Sequence, residues 1–248
     1  MGSNASLQSP HLGMLALEPV RAMLEFARMQ LADVTAANAR GDGHAVVLFP
    51  GLGADQRLMQ TLARHCEGLG YDVYHWGRGR NTGPQGDPGS WIDALAHDID
   101  ALIGTAHDQA TLIGWSLGGL YAREIAKAIP HRVRQVITLG TPIKRLPNAT
   151  NVQWLFELLS RNSSTIDPAL ARRLSEPPPV PTTAIYSRSD GIVAWQACVG
   201  RTSALAENIE VESSHLGLIW HPDVLRIVAD RLAQRRGSWK PWRDALAA

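Results

Sequence analysis

The stretch LIGWSLGG, residues 112–119, ends an apolar run with one serine, Ser116, set between Gly114 and Gly118. Thr111–Trp115 reads as a buried strand, and Leu117–Ile129, stopped by Pro130, carries a helical pattern. A strand that passes this abruptly into a helix needs a sharp turn at the serine. Glycine two residues to either side lets the two elements approach without a Cβ clash, while the turn strains the serine backbone. The hydroxyl is then displayed at a strand end beside a helix N-terminus. A simple Gly/Ser turn or a helix N-cap is the plainer reading of the same residues.

Outward from this turn, short β-branched or apolar runs alternate with longer helical patterns. The runs are Ala45–Phe49, Asp72–Trp76, Thr111–Trp115, Val133–Leu139, Thr182–Tyr186 and Ile209–Glu212. Helical patterns occupy Leu15–Ala39, Asp55–Leu69, Trp91–Thr105, Leu117–Ile129, Ala194–Ala206 and Pro222–Arg235, with a longer insert around Val152–Leu174. Strands alternating with helices predict an α/β fold, a mainly parallel sheet of about six strands covered on both faces. A Gly/Pro-rich loop, Asn81–Pro88, leaves a strand at its C-terminal end, where open α/β sheets bind ligands. The stretch from Pro142 to Pro181 is too long for an ordinary crossover. It reads as a small helical cap, about residues 143–181, tethered by the stiff EPPPVP segment.

The 248 residues, 45% hydrophobic and 19% charged, are enough for one sizeable core. The formal net charge is only +1, so no global field draws in nucleic acid or anionic lipid. Cys66 and Cys198 are too few for a disulfide framework and lack metal-ligand spacing. They read as small buried hydrophobes.

A serine hydroxyl is a weak nucleophile near neutral pH and needs a base in hydrogen-bond reach, itself oriented by a third group. Nine histidines are available. The chain resembles the α/β-hydrolase family, in particular its bacterial esterases and lipases, over roughly Ala45 to Arg235. The resemblance rests on VVLFPGLGAD, LIGWSLGGLYARE, ITLGTP, SRSDGIVAW and SSHLGLIWHPDV, each following a predicted strand in the expected order. It implies a triad in the chain order Ser116, Asp190, His215. His215 lies in the loop after the last strand, whereas its rival His221 precedes Pro222 and suits a helix boundary. Asp190 follows the strand Thr182–Tyr186, while Asp167 falls in the cap and Asp223 in the first turn of the last helix. The resemblance also points to the backbone N–H groups of Leu52 and Leu117 as the oxyanion hole. Many relatives carry His-Gly where this chain has Pro50-Gly51, which leaves the loop's supporting hydrogen bonds unassigned.

These features imply a serine hydrolase that cleaves carboxylic esters of short-to-medium acyl chain through an acyl-enzyme, with a small-molecule ester as its partner and no metal or organic cofactor. A thioesterase or acyltransferase would use the same triad, and a non-catalytic acyl-binding protein is the rival of another class. A haloalkane dehalogenase is disfavoured, because it needs a carboxylate where Ser116 stands. Trp154, Leu155, Phe156, Leu158 and Leu159 exceed what one amphipathic face can hide, so some are expected to line an acyl pocket with Trp115 and Trp195. The expected organisation is an N-terminal tag and helix over residues 1–43, a hydrolase domain over 44–236, and a tail over 237–248. Val20, Met23, Leu24, Ala27 and Leu31 form an apolar stripe, read as packing on the core, with a membrane-surface or subunit contact as the alternative. Glu18, Arg21, Glu25 and Arg28 interrupt the apolar stretch, so neither a signal peptide nor a membrane span fits and a cytoplasmic location is expected. The tail's tryptophans, Trp239 and Trp242, are expected to pack on the body, with contact to a membrane surface as the alternative.

Overall fold

The computed structural model describes Pro10 and residues 12–32, 41–144 and 168–242. Six strands, β1 (Ala45–Phe49), β2 (Asp72–His75), β3 (Ala110–Trp115), β4 (Val133–Leu139), β5 (Thr182–Tyr186) and β6 (Ala206–Glu210), form one sheet in the order β2-β1-β3-β4-β5-β6. Every pairing is parallel. The helices are α1 (Leu12–Leu31), α2 (Gln60–Gly68), α3 (Pro88–Ile103), α4 (Leu117–Ala128), α5 (Pro168–Ser175), α6 (Trp195–Cys198) and α7 (Pro222–Ala233).

The period of two along the strands divides the core. Ala45, Val47, Phe49 and Leu112 face one apolar cluster with residues of α3 and α4. Val46, Leu48, Ile113 and Trp115 face a second with residues of α2 and α7. With both faces covered, β1 and β3 are buried along their whole length and read as continuous apolar runs. After β1 the chain steps outward to β2 and then returns to the other side of β1 as β3. This reversal opens a crevice at the carboxyl ends of β1 and β3, the place where ligands bind in such sheets.

Local signals set the helix ends. Asp87 caps α3 by accepting the Ser90 N–H at 2.8 Å, and Pro88 follows it at the first helical position. His221 caps α7 by accepting the Asp223 N–H at 3.3 Å, ahead of Pro222. That assigns His221 to the helix boundary.

Three sequence expectations change. The helix expected over Ala194–Ala206 is only the four residues of α6, because Asn208 clasps Gly200, accepting its N–H at 2.7 Å and donating to its carbonyl at 3.1 Å. The last strand accordingly begins at Ala206, three residues before the expected start. The third change is in α1. Its apolar stripe does not pack on the core: Met23, Leu24 and Leu31 are 67%, 59% and 89% exposed, while Glu18 and Glu25 are 2% and 7% exposed. The docked edge carries Glu18 and Glu25 together with Ala22 and Met29. Pro19 inside α1 also removes a helical N–H, so tertiary contacts hold this helix against a local cost.

In the tail, the Arg231 guanidinium lies 5.7 Å from the centroid of the Trp242 ring. Cys66 and Cys198 are buried, and burial pushes the Cys66 thiol up to about 12. No described helix is long and apolar enough to cross a membrane.

Candidate active site

Ser116 has φ 54° and ψ −122°, and among the described non-glycine residues it alone has positive φ. Such a conformation costs about 1–3 kcal/mol and persists only where the surroundings impose it. The surroundings here are tight. A Cβ on Gly114 would lie 2.5 Å from the Gly118 carbonyl, and one on Gly118 would overlap the Phe49 carbonyl oxygen at the end of β1. Gly118 therefore seats the start of α4 directly on the β1 terminus, and the Ser116 N–H donates to the Leu139 carbonyl of β4 at 2.8 Å. Leu117, one residue on, is the first residue of α4, where an N–H has no intrahelical acceptor.

The loop after β1 carries Leu52. Its neighbours are anchored by Asn81, a fully buried residue of the Gly/Pro-rich loop. The Asn81 carbonyl accepts the Gly53 N–H at 2.7 Å, and its side-chain amide donates to the Pro50 carbonyl at 2.7 Å. The Asn81 N–H donates to the Ala54 carbonyl at 2.8 Å, and Tyr121 of α4 donates to its Oδ1 at 3.3 Å. Asn81 thus supplies the support left unassigned by the Pro50-Gly51 departure.

Asp190 and His215 stand on the loops that follow β5 and β6. Their side chains meet at 2.6 Å, Asp190 Oδ2 to His215 Nδ1, and both are buried. Asp190 Oδ1 accepts the N–H groups of Ile192 and Val193 at 2.8 and 2.7 Å, which fixes the carboxylate plane. With the Nδ1 proton on the Asp190 side, Nε2 of His215 is left as the acceptor. Burial works to lower the His215 pKa, but the charge and hydrogen bond of Asp190, with the charge of Glu18 behind them, raise it above the ordinary histidine value.

Two contacts carry His215 to the end of the sheet where Ser116 stands. Trp115, next to the serine, donates its indole N–H to the His215 carbonyl at 3.0 Å. The imidazole lies against Gly140 at the end of β4, where a Cβ would come within 3.0 Å of Nδ1. Gly140 has φ 55°, so neither its backbone nor the space around it favours a side chain.

The two loops are also bound to each other. Ser187 Oγ accepts the Ser213 N–H at 3.1 Å, and Ser189 Oγ donates to the Ser213 carbonyl at 3.3 Å. Helix α1 lies across both. Glu18 Oε1 accepts the Gly191 N–H at 2.7 Å and the His215 N–H at 3.1 Å, and Glu25 Oε1 accepts the Ser214 N–H at 2.8 Å.

The expected pocket residues fare differently. Trp115 is buried on the α2 and α7 side of the core beneath the His215 loop, with its ring against Gly51 of the loop after β1. Trp195 stacks on Tyr186 with centroids 5.8 Å apart, and the Arg188 guanidinium lies 4.6 Å from its centroid. That ring is already sandwiched on the flank of the acid loop. Trp154, Leu155, Phe156, Leu158, Leu159 and Asp167 lie outside the described residues. A largely apolar cleft opens between α3, α4 and α5, lined by Pro84, Pro88, Ile92, Leu120, Tyr121 and Leu174, with the Glu124–Arg173 ion pair also at its wall. Leu120 and Tyr121 stand one turn along α4 from Ser116. Asp223 is exposed and paired with Arg226 at 2.5 Å, away from the histidine loop. Among the described residues, no group of three His, Cys, Asp or Glu side chains gathers as a metal site.

Sequence reasoning passed over Asn81, Glu18 and Glu25. The signal for the glutamates was their spacing: seven residues apart with Arg21 between them, which puts all three on one edge of a helix. For Asn81 there was none beyond its position at the head of a Gly/Pro-rich loop.

Comparison with known proteins bears on the fold and the family. Over 104 residues the chain is 30% identical to a pimeloyl-[acyl-carrier protein] methyl ester esterase from Shewanella woodyi, covering 41% of this chain and 37% of that protein. Over 126 residues it is 32% identical to a 2-hydroxy-6-oxo-2,4-heptadienoate hydrolase from Pseudomonas putida, covering 47% of this chain and 45% of that protein. The matches thus span less than half of each curated relative. Among solved structures, Aspergillus fumigatus lipase B superposes with a TM-score of 0.61 at 20% identity, over 82% of this chain and 56% of the lipase. The Bacillus subtilis naproxen esterase superposes with a TM-score of 0.54 at 14% identity, over 88% of this chain and 98% of the esterase. The family model described as "Alpha/beta hydrolase family" matches residues 46–248, and by that match, its parallel sheet and its strained serine turn the chain belongs to the α/β-hydrolase family.

Proposed function

We propose that the protein hydrolyses carboxylic esters through an acyl-enzyme formed on Ser116. The observation that carries this reading is the Asp190–His215 pair, joined at 2.6 Å and held at the same sheet end as the strained serine. In the first half-reaction the Ser116 Oγ attacks the ester carbonyl carbon while its proton passes to His215 Nε2. Asp190 holds the imidazole in the required tautomer and stabilises the imidazolium. The backbone N–H groups of Leu52 and Leu117 receive the negative charge that develops on the carbonyl oxygen. Collapse breaks the carbon–oxygen bond to the alcohol, which leaves with the proton from His215. Water then repeats the sequence on the acyl-enzyme, releasing the carboxylic acid and restoring the Ser116 hydroxyl.

Several features support the assignment of parts. The Leu52 loop is pinned by Asn81, so its amides need no reorganisation as charge develops. The apolar cleft beside the first turn of α4 suits an acyl chain of short to medium length. Ester hydrolysis also accords with the esterase similar to this chain. A thioester would be attacked by the same groups, so the leaving atom is the remaining choice.

The test is kcat/KM across linear nitrophenyl esters from two to sixteen carbons, with acyl-CoA thioesters of matched length. Each buried methylene contributes about 0.8 kcal/mol, close to fourfold per carbon until the cleft is full. A maximum at intermediate length, with esters ahead of thioesters, is expected. A profile that favours thioesters at every length would move the function to a thioesterase.

A further inference from the structure

Helix α1 is inverted relative to an ordinary surface helix. A helix that needed only to stay attached would turn Met23, Leu24 and Leu31 inward and leave its carboxylates in water. Here Met23, Leu24 and Leu31 are outside, and Glu18, Glu25 and part of Arg21 are turned in beside Ala22 and Met29. Burying charged groups is costly, and apolar residues of similar size would hold a helix at least as well. The buried charges therefore call for a reason other than attachment.

Their partners supply one. Glu18 reaches two loops at once: Oε1 accepts the N–H of Gly191, the residue after Asp190, and the N–H of His215 itself. Its Oε2 accepts the Leu216 N–H at 3.4 Å. Arg21 donates to the Ser189 carbonyl and hydroxyl at 2.5 and 2.9 Å, on the acid loop. Glu25 accepts the Ser214 N–H and hydroxyl at 2.8 and 2.6 Å, on the histidine loop.

Both loops are shaped to receive the helix. A Cβ on Gly191 would come within 2.6 Å of the Met14 carbonyl oxygen and 2.9 Å of Glu18 Cγ, and one on Gly217 would overlap a Glu25 carboxylate oxygen. These glycines lie one residue after Asp190 and two after His215.

We propose that α1 is a working part of the active site and that Glu18 is a positioning residue, whose carboxylate fixes the Asp190 loop against the His215 loop and sets a negative charge behind the imidazole. This rests on the reading of Ser116, His215 and Asp190 as the reacting groups. The charges acting on the imidazole are Asp190, bonded to Nδ1, and Glu18 behind it; α1 also carries Glu25, bonded to Ser214, and Arg21, whose guanidinium is 3.8 Å from Glu18 and 4.0 Å from Glu25. From β3 and β4 the ring meets Trp115 and Gly140, which carry no charge. Asp190 and Glu18 favour the imidazolium, and Arg21, paired with Glu18, partly offsets the Glu18 charge, so removing Glu18 or Arg21 is expected to have opposite consequences.

The experiment is the pH dependence of kcat/KM for a nitrophenyl butyrate, measured on the full chain for wild type, Glu18→Gln and Arg21→Gln. It is paired with NMR titration of the His215 Nδ1 proton and a thermal melt. His215 must be neutral to act as base, so the acid limb reports its protonation. Glu18→Gln should move that limb down by about 0.5–1 pH unit and lower kcat about tenfold, and Arg21→Gln should move it up. A merely structural helix would lower melting temperature or kcat in both variants without displacing the limb in opposite directions. Should Glu18→Gln not fold, the upward shift in Arg21→Gln still decides. Limbs that coincide with wild type, while Ser116→Ala and His215→Ala are inactive, overturn this inference alone. Undiminished turnover in Ser116→Ala overturns the reading beneath it as well.

Discussion

The turn at Ser116 and the paired loops of Asp190 and His215 reach the same end of the sheet by different means. The serine turn is made possible by its nearest neighbours in sequence: Gly114 and Gly118 remove the side chains that would block it, letting Gly118 pack on the Phe49 carbonyl and the Ser116 N–H reach Leu139. The acid and histidine loops have local bonds, such as those from Ile192 and Val193 to Asp190, but rely also on distant segments. They are fixed by Ser187 and Ser189, by Trp115 from β3, and by Glu18, Arg21 and Glu25 from a helix more than 150 residues upstream. On the proposed reading, the nucleophile sits in a short motif, whereas the base and its orienting acid depend on segments far apart in the sequence.

The largest expected effect is at the local turn. Ser116→Ala should leave the fold intact, since the strain is in the backbone and the alanine is no larger. It should lower ester turnover by on the order of 10⁴-fold or more, and adding His215→Ala should cost little further because the two act as a unit. Steady-state turnover of the single and double variants against the circular dichroism of each checks both statements.

Next in size is Asp190→Asn, which replaces the acceptor for the His215 Nδ1 proton with a group that can present an N–H there. Loss of tautomer control and imidazolium stabilisation should reduce kcat by about 10³–10⁴-fold. Asp223→Asn, by contrast, should change kcat less than twofold, because Asp223 is exposed and paired with Arg226. Equal effects from the two would remove the distinction between the acid loop and the helix cap.

Asn81→Ala should be smaller again. It removes the clasp on Pro50 while leaving the backbone bonds to Gly53 and Ala54, so the Leu52 amide loosens without leaving the site. A fall in kcat of about 10–100-fold with KM little changed is expected, as for weakened oxyanion stabilisation. A rise in KM at constant kcat would make Asn81 a ground-state binding residue instead.

The same contrast explains what could be read from the sequence. Five strands and the parallel architecture were legible because β-branched runs alternate with helical patterns, and the serine turn because its glycines stand at fixed offsets from it. The last strand was set three residues late because Asn208 clasps Gly200, a bond between residues with no periodic signature. The roles of Glu18 and Glu25 escaped because an apolar stripe on a helix is ordinarily its buried face. Only the positions of the Asp190 and His215 loops show why this helix is turned over. The burial of Trp115 was not legible for a related reason: the period of two along β3 sends its side chain to the opposite face of the sheet from Leu112.

The central claim is that Ser116 is a nucleophile activated by His215, and covalent labelling tests it most directly. The full chain is incubated with a fluorophosphonate, its intact mass is recorded, and the modified peptide is sequenced. The account predicts one adduct, on Ser116, formed at least a hundredfold more slowly in His215→Ala and absent in Ser116→Ala. An unlabelled wild type, an adduct on another serine, or labelling at an unchanged rate in His215→Ala would contradict it.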